Sequence, residues 1–440
     1  MRRYKKFQNT SEAIWYTSLP DLWKSIKMRQ LFSERTTKVS DKDFPPLSVG
    51  YMGVVPQLAN AAKTNDGDSR KLIRTGDFAI NSRSDRKGAG GISKFDGSCS
   101  LIITVLKPHN EINGKFYHYL LRSHYFSEEF YRNGYGIVDD LWTTKWRTMR
   151  NIYLPVPPRE EQDQIVRYLN WKVSEINRLI AIKKEEIKRI LELKEAFISH
   201  AFHFEKNSDR WDIRPLKWFV TSNDESLSAS TPESYEIRYL DISSVGYGRL
   251  NHEPTRMTFG GAPSRARRIV REGDTIISTV RTYLKSVCFI DSSLDECIAS
   301  TGFSVLRPRE NVHSPLLGFA LTTNFFINEV IANSIGIAYP AIADTKLMSL
   351  KIALPRSIEE QQLLYMSLKD KAHSYDKGIE YLTETIHKLH DIKSRLISDV
   401  VTGQIDVRDV KVPDFDFIEE EFDENFDEDI ENSDFNNEED

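Results

Sequence analysis

Cysteine is scarce: Cys99, Cys288 and Cys297 are the three in 440 residues. So few argue against a disulfide framework and fit a reducing compartment, so the cytoplasm is the expected location. Cys99 and Cys297 read as core thiols. No C-x-x-C or Cys/His cluster has zinc spacing, and the ten histidines form no i, i+4 pair around a Glu. Long apolar runs are missing too. No stretch of about 18 apolar residues exists to cross a membrane. The basic start, Met1-Arg-Arg-Tyr-Lys-Lys, has no apolar run behind it to form a signal peptide.

Phosphate-binding loops are also absent. No G-x-x-x-x-G-K-[ST] occurs. Gly88-Ala-Gly-Gly lacks the spacing and the strand–turn–helix setting of G-x-G-x-x-G, and reads as a plain loop. Leu154-Pro-Val-Pro-Pro is not the Asn/Asp-Pro-Pro-aromatic loop of adenine methyltransferases, because no Asn or Asp precedes the prolines. No catalytic residue, metal ligand or cofactor site is expected on this chain.

The charge is divided unevenly. From Asp414 to Asp440 there are fifteen acidic residues and no Lys or Arg, which leaves the 60 basic residues facing 50 of the 65 acidic ones. A basic body with an acidic tail suits something that approaches a polyanion. The tail interleaves acid with Phe and Asn, cannot bury a core, and is expected to be disordered.

The chain is organised around a stretch that occurs twice, from Leu154 to Ser199 and from Leu354 to Ser398, aligned from Glu160 and Glu359 onward at a constant offset. The first copy carries an apolar seam at Ile165, Leu169, Val173, Ile176, Ile180, Ile187, Ile190 and Phe197. The second carries it at Leu364, Leu368, Ala372, Tyr375, Ile379, Leu382, Ile386, Leu389 and Leu396. Steps of three and four residues make a heptad seam, so each helix asks for a partner helix. The repeat extends beyond the helices: Gly136-Ile137 matches Gly336-Ile337, Leu106-Lys107-Pro108 matches Leu306-Arg307-Pro308, and Gly76-Asp77 matches Gly273-Asp274. The chain is therefore a tandem duplication of globule plus long helix, with a period too long for a solenoid. The fold class expected is α/β: two mixed α/β globules joined by two long antiparallel coiled-coil helices with pseudo-twofold symmetry, the globules at the ends of a rod.

These residues carry a resemblance. The Leu-Pro…Glu-Glu-Gln helix starts at Leu154–Gln162 and Leu354–Gln361, the helix ends Lys194-Glu-Ala-Phe-Ile-Ser and Lys393-Ser-Arg-Leu-Ile-Ser, and the two Gly-Asp pairs are similar to those of specificity subunits of type I restriction–modification enzymes. The likeness runs from about Trp15 to Val410. It implies two target-recognition domains, each reading half of a split DNA site. It further implies helices that set the spacing and dock two methyltransferase subunits, and a complex completed by restriction/translocase subunits. S-adenosylmethionine, ATP and Mg would sit on those partners, which would carry out adenine methylation and cleavage.

The expected divisions are 1–153 and 208–352 for the recognition domains, 154–207 and 353–411 for the helices with a linker at Phe204–Asp209, and 412–440 for the tail. Short β-rich runs follow each Gly-Asp turn, and Lys115–Arg132 and Leu316–Asn333 read as helical. Residues 1–150 hold 25 Lys and Arg against 15 Asp and Glu. The second globule is near neutral, but its arginines bunch. Candidate DNA-contacting residues are Arg83, Arg86, Lys87 and Lys94 in the first globule, and Arg265, Arg267, Arg268, Arg281, Tyr283 and Lys285 in the second. Arginine forks, tyrosine rings and flexible glycines on loops suit a DNA groove. Two rival functions are a self-contained DNA methyltransferase or nuclease, which the missing cofactor loop disfavours, and a coiled-coil scaffold, which would not need two basic globules.

Overall fold

A computed structural model of the chain describes residues 3–51, 53–57, 67–83, 88–109, 112–136, 142–202, 210–336 and 339–419. The chain divides into two compact units, residues 1–183 with 384–440 and residues 184–383. The linker Phe204–Asp209 lies outside the described residues.

Apolar runs of four to six residues form the central strands of both units. In the first unit a four-stranded antiparallel sheet runs in the order Gly90–Ile92, Phe78–Asn81, Ile103–Pro108, Phe32–Glu34. In the second unit Val287–Phe289, Thr275–Ser278, Phe303–Pro308 and Val220–Ser222 follow the same order. Phe78–Asn81 and Thr275–Ser278 are buried at every residue, which explains apolar runs in place of strict alternation. The duplication read from the sequence is present as a repeated topology. The surroundings differ: the second unit adds a four-stranded sheet in which Glu236–Leu240 pairs parallel with Ile298–Ser300. The first unit has instead a three-stranded sheet and the hairpin Leu47–Gly50 with Gly53–Pro56.

The two Gly-Asp pairs are the same lock. Gly76 and Gly273 sit at φ +89° and +90°, backbone that glycine adopts without a Cβ penalty. The carboxylate that follows is buried and fully engaged. Asp77 accepts two bonds from Arg35, at 2.6 and 2.9 Å, and one from the Arg74 N–H. Asp274 accepts two from Arg307, both at 2.9 Å, and one from the Arg271 N–H. Arg271 and Arg307 also hold Glu225, whose carboxyl they keep down near pKa 2.

The stretches Lys115–Arg132 and Leu316–Asn333 are each two helices rather than one: Gly114–Leu120 and His124–Arg132, then Ser314–Leu321 and Asn324–Ala332. Ser123 and Thr323 make the break. Each hydroxyl donates to a carbonyl of the preceding helix at 2.7 Å and accepts the N–H of Phe126 or Phe326. Such local bonds compete with the helix ladder and begin a new one.

The long helices span Arg159–Ala201 and Ile358–Val401. They start beyond the prolines, because Tyr153–Val156 and Lys351–Pro355 are strands paired with Lys24–Lys27 and Trp211–Pro215. Ile165, Leu169, Ile176, Ile180, Ile187, Leu368, Ile379, Leu382, Ile386 and Leu396 are buried, and Ile190, Phe197, Leu364, Tyr375 and Leu389 are half-buried. The helices pack antiparallel. In the second unit Lys194 Nζ meets Asp376 Oδ1 at 2.6 Å while the Phe197 ring meets Tyr375, so the order along one helix runs against the other. In the first unit Lys393 Nζ donates to Asn177 Oδ1 at 3.4 Å, the repeat-related pair of positions.

All three cysteines are buried and reduced, and burial pushes the Cys99 and Cys288 thiols up to about 12. Among the described residues no single helix is long and apolar enough to cross a membrane. Residues 412–419 carry no regular secondary structure, and the rest of the acidic tail lies outside the described residues.

Candidate nucleic-acid interface

In both units the loop leaving the Gly-Asp strand is clamped to the loop that follows the second short helix. In the first unit Thr144 N–H donates to Ser82 O at 2.8 Å, and Thr143 exchanges backbone bonds with Tyr135 at 3.0 Å and bridges Arg83. In the second unit Ile342 N–H donates to Thr279 O at 2.9 Å, and Ala341 pairs with Ile335 and bridges Val280. Short backbone ladders thus fix two loops side by side at one end of each sheet. These ladders fall at equivalent points of the repeat.

The candidate residues divide sharply on this frame. Arg83 and Lys94 are exposed in the first unit, while Arg86 and Lys87 lie outside the described residues. In the second unit Arg265, Arg281 and Tyr283 are exposed. Arg265 is brought to the same rim by its carbonyl, which accepts Thr301 N–H at 2.8 Å, in the same turn whose next residue, Gly302, accepts Thr279 N–H. Arg281 holds a left-handed φ of +50° and stacks its guanidinium 5.0 Å from the Tyr339 ring centroid.

The other three cations are less exposed and are held within the protein, while exposed Lys94 is ion-paired with Glu419 and exposed Arg265 donates Nε–H to the Tyr239 hydroxyl at 3.3 Å. Arg267 bonds to Ser264 O and Ser228 O and lies 4.6 Å from the Phe259 ring centroid. Arg268 is mostly buried and reaches Asp344 at 3.7 Å. Lys285 faces Glu195 at 3.8 Å and the Tyr247 ring. Arg271, part of the same bunch in the sequence, ties Glu225 to Glu296. Of the second unit's candidate arginines, Arg265 and Arg281 are exposed, and Arg267 and Arg268 are held against the globule.

Sequence reasoning missed the most exposed apolar side chains of this rim. Ile335 is 85% and Tyr339 67% exposed on the loop beside Arg281, and Tyr135 is exposed at the repeat-related place. A signal was present: Gly136-Ile137 and Gly336-Ile337 had marked these loops as repeated. The second also carries a tyrosine, Tyr339, between Ala338 and Pro340. Among the described residues no group of three His, Cys, Asp or Glu could hold a metal ion.

No protein-family model matches the chain. Over 285 residues it is 24% identical to the type I restriction enzyme MjaVIII specificity subunit of Methanocaldococcus jannaschii, covering 60% of this chain and 64% of that one. Over 139 residues it is 29% identical to the HindI specificity subunit of Haemophilus influenzae, covering 30% of this chain and 29% of that one. The matches thus span less than two thirds of either relative. Among solved structures, one from a study of complex assembly and conformational transition in a type I restriction–modification system superposes with a TM-score of 0.58 at 18% identity. It covers 88% of this chain and 99% of its own. In sequence the chain is similar to type I specificity subunits, and in fold it is similar to a chain of such a system.

Proposed function

We propose that this chain is the DNA-specificity subunit of a type I restriction–modification assembly and does no catalysis itself. Each globule reads one half of a bipartite duplex target. The paired long helices fix the spacer between the halves and dock two methyltransferase subunits, with restriction subunits completing the complex. Adenine methylation and cleavage then belong to the partners, which hold S-adenosylmethionine, ATP and Mg.

The observation that carries this reading is the repeated rim. Two units of the same topology each present a clamped loop pair with an exposed arginine, Arg83 in one and Arg281 in the other. A single reader would need one such rim, whereas a split site needs two. Docking is supported by large apolar side chains left exposed on the helices, among them Ile182 and Ile392 in the first unit and Leu363 and Tyr381 in the second.

The test is to map methylated adenines in cells that carry the chain with its partner subunits. The expected motif has two short specified halves separated by an unspecified spacer of about one helical turn, ~10 bp. A continuous motif, or S-adenosylmethionine binding by the isolated chain, would refute the proposal.

A further inference from the structure

The chain beyond the second long helix does not simply leave the molecule. Val407 is fully buried, and Gln164 Nε2 donates to the carbonyls of Val407 and Val410 at 2.9 and 2.8 Å. Further along the same helix, Ile418 is gripped on both sides of its peptide. Its N–H donates to Ser174 Oγ at 3.1 Å, and its carbonyl accepts Asn177 Nδ2 at 3.0 Å. From Gln164 to Ser174 and Asn177 is roughly 15–20 Å along a helix axis. Eight extended residues, Val410 to Ile418, span that comfortably. The next residue, Glu419, forms an ion pair with Lys94.

The three gripping side chains are particular to this unit. Their repeat-related positions in the second helix are Leu363, His373 and Asp376. Leu363 and His373 are exposed, whereas Ser174 is 3% and Asn177 6% exposed. Asn177 is the telling substitution. In the second unit Asp376 needs only to accept from Lys194, and a carboxylate suffices. In the first unit Asn177 accepts from Lys393 and also donates to Ile418 O, which a carboxylate cannot do.

We propose that residues 407–419 are a strap that delivers the acidic terminus onto the basic first globule, where it acts as an intramolecular ligand competing with DNA. This rests on the DNA-reading function above. The strap ends at Lys94, in a globule with 25 basic and 15 acidic residues, and leads into the acid-rich stretch that contains no Lys or Arg. A tethered polyanion acts at an effective concentration in the millimolar range. It displaces contacts to phosphate, which are sequence-independent, more readily than contacts to base edges, and it loses force as salt screens it. The tail thereby suppresses non-specific binding more than cognate binding.

The test compares three forms in the assembled complex: the full chain, a chain ending at Pro413, and the full chain with Asn177→Asp. The probes are fluorescent duplexes with and without the methylated motif, at low and high salt. Removing the tail should tighten non-specific binding at least about tenfold at low salt, a gain that vanishes at high salt. Asn177→Asp keeps the Lys393 contact but sets a carboxylate against Ile418 O, and should reproduce part of the gain. A carbodiimide cross-link between Lys94 and Glu419 should form in the full chain and fall in the variant. Equal affinity in all three forms, or no cross-link in the full chain, overturns the strap while leaving DNA recognition intact. Loss of all duplex binding in every form would overturn the recognition proposal and the strap with it.

Discussion

Arg265 and Arg268 stand three residues apart and look alike in the sequence, yet one is exposed at the rim and the other is sunk against Asp344. Nothing local separates them, since Asp344 is brought in by the far end of the globule. Arg265→Ala and Arg281→Ala should each weaken cognate binding by about 1–3 kcal/mol if they read bases, or lower the salt slope by roughly one if they hold phosphate. Arg268→Ala should lower the melting temperature and leave base preference unchanged. Binding on cognate and singly substituted sites at two salt concentrations, with melting curves, separates the two kinds. His118 gives a second residue-level expectation. Burial, with Arg122 and Lys94 adding repulsion, holds its pKa well below the ordinary 6.5. The folded state therefore keeps the imidazole neutral, while the unfolded chain takes up a proton below about 6.5. Its contribution to stability is present above that pH and is lost as pH falls. Denaturant unfolding between pH 7 and 5 should show this slope, and His118→Gln should flatten it.

Elements were more legible than residues where the pattern was long. The heptad seam of each long helix survives as buried or half-buried side chains, because so many repeats of one period leave a helix a single apolar face. Shorter features failed for a physical reason. A run such as Lys115–Arg132 reads as one helix, but Ser123 supplies a local hydroxyl bond that ends it. Leu154-Pro155 reads as a helix boundary, while its pairing with Ser25 and Ile26 makes it a strand. The seam can be tested element by element. Ile187 and Ile386 are almost fully buried, so Ile187→Asp or Ile386→Asp should cost a few kcal/mol by burying an unpaired charge. Ile392, exposed on the second helix, should accept Asp with little change in stability. Equal tolerance at buried and exposed positions in thermal melts would refute the packed seam.

At the scale of the whole chain, the duplication is what the sequence displayed most openly, and the structure repeats it as strand order, Gly-Asp lock and clamped loop pair. The charge difference between the copies was visible in the sequence; the structural divergence around this frame was not. One globule is strongly basic and carries the strap; the other is near neutral and carries an extra mixed sheet with the Arg265 edge. On the proposed function, divergence of the surroundings with retention of the frame lets two units built alike recognise different bases. If each unit reads its own half-site, their contributions should be separable. On that reading, energies of mismatches in the two halves should add within about 0.5 kcal/mol. The decisive experiment replaces the first globule, up to the strand Tyr153–Val156, with that of a related specificity subunit. The hybrid complex should methylate a motif in which one half is new and the other, with the spacer, is unchanged. A change in both halves would mean that the globules read the site jointly, and the modular account would fail.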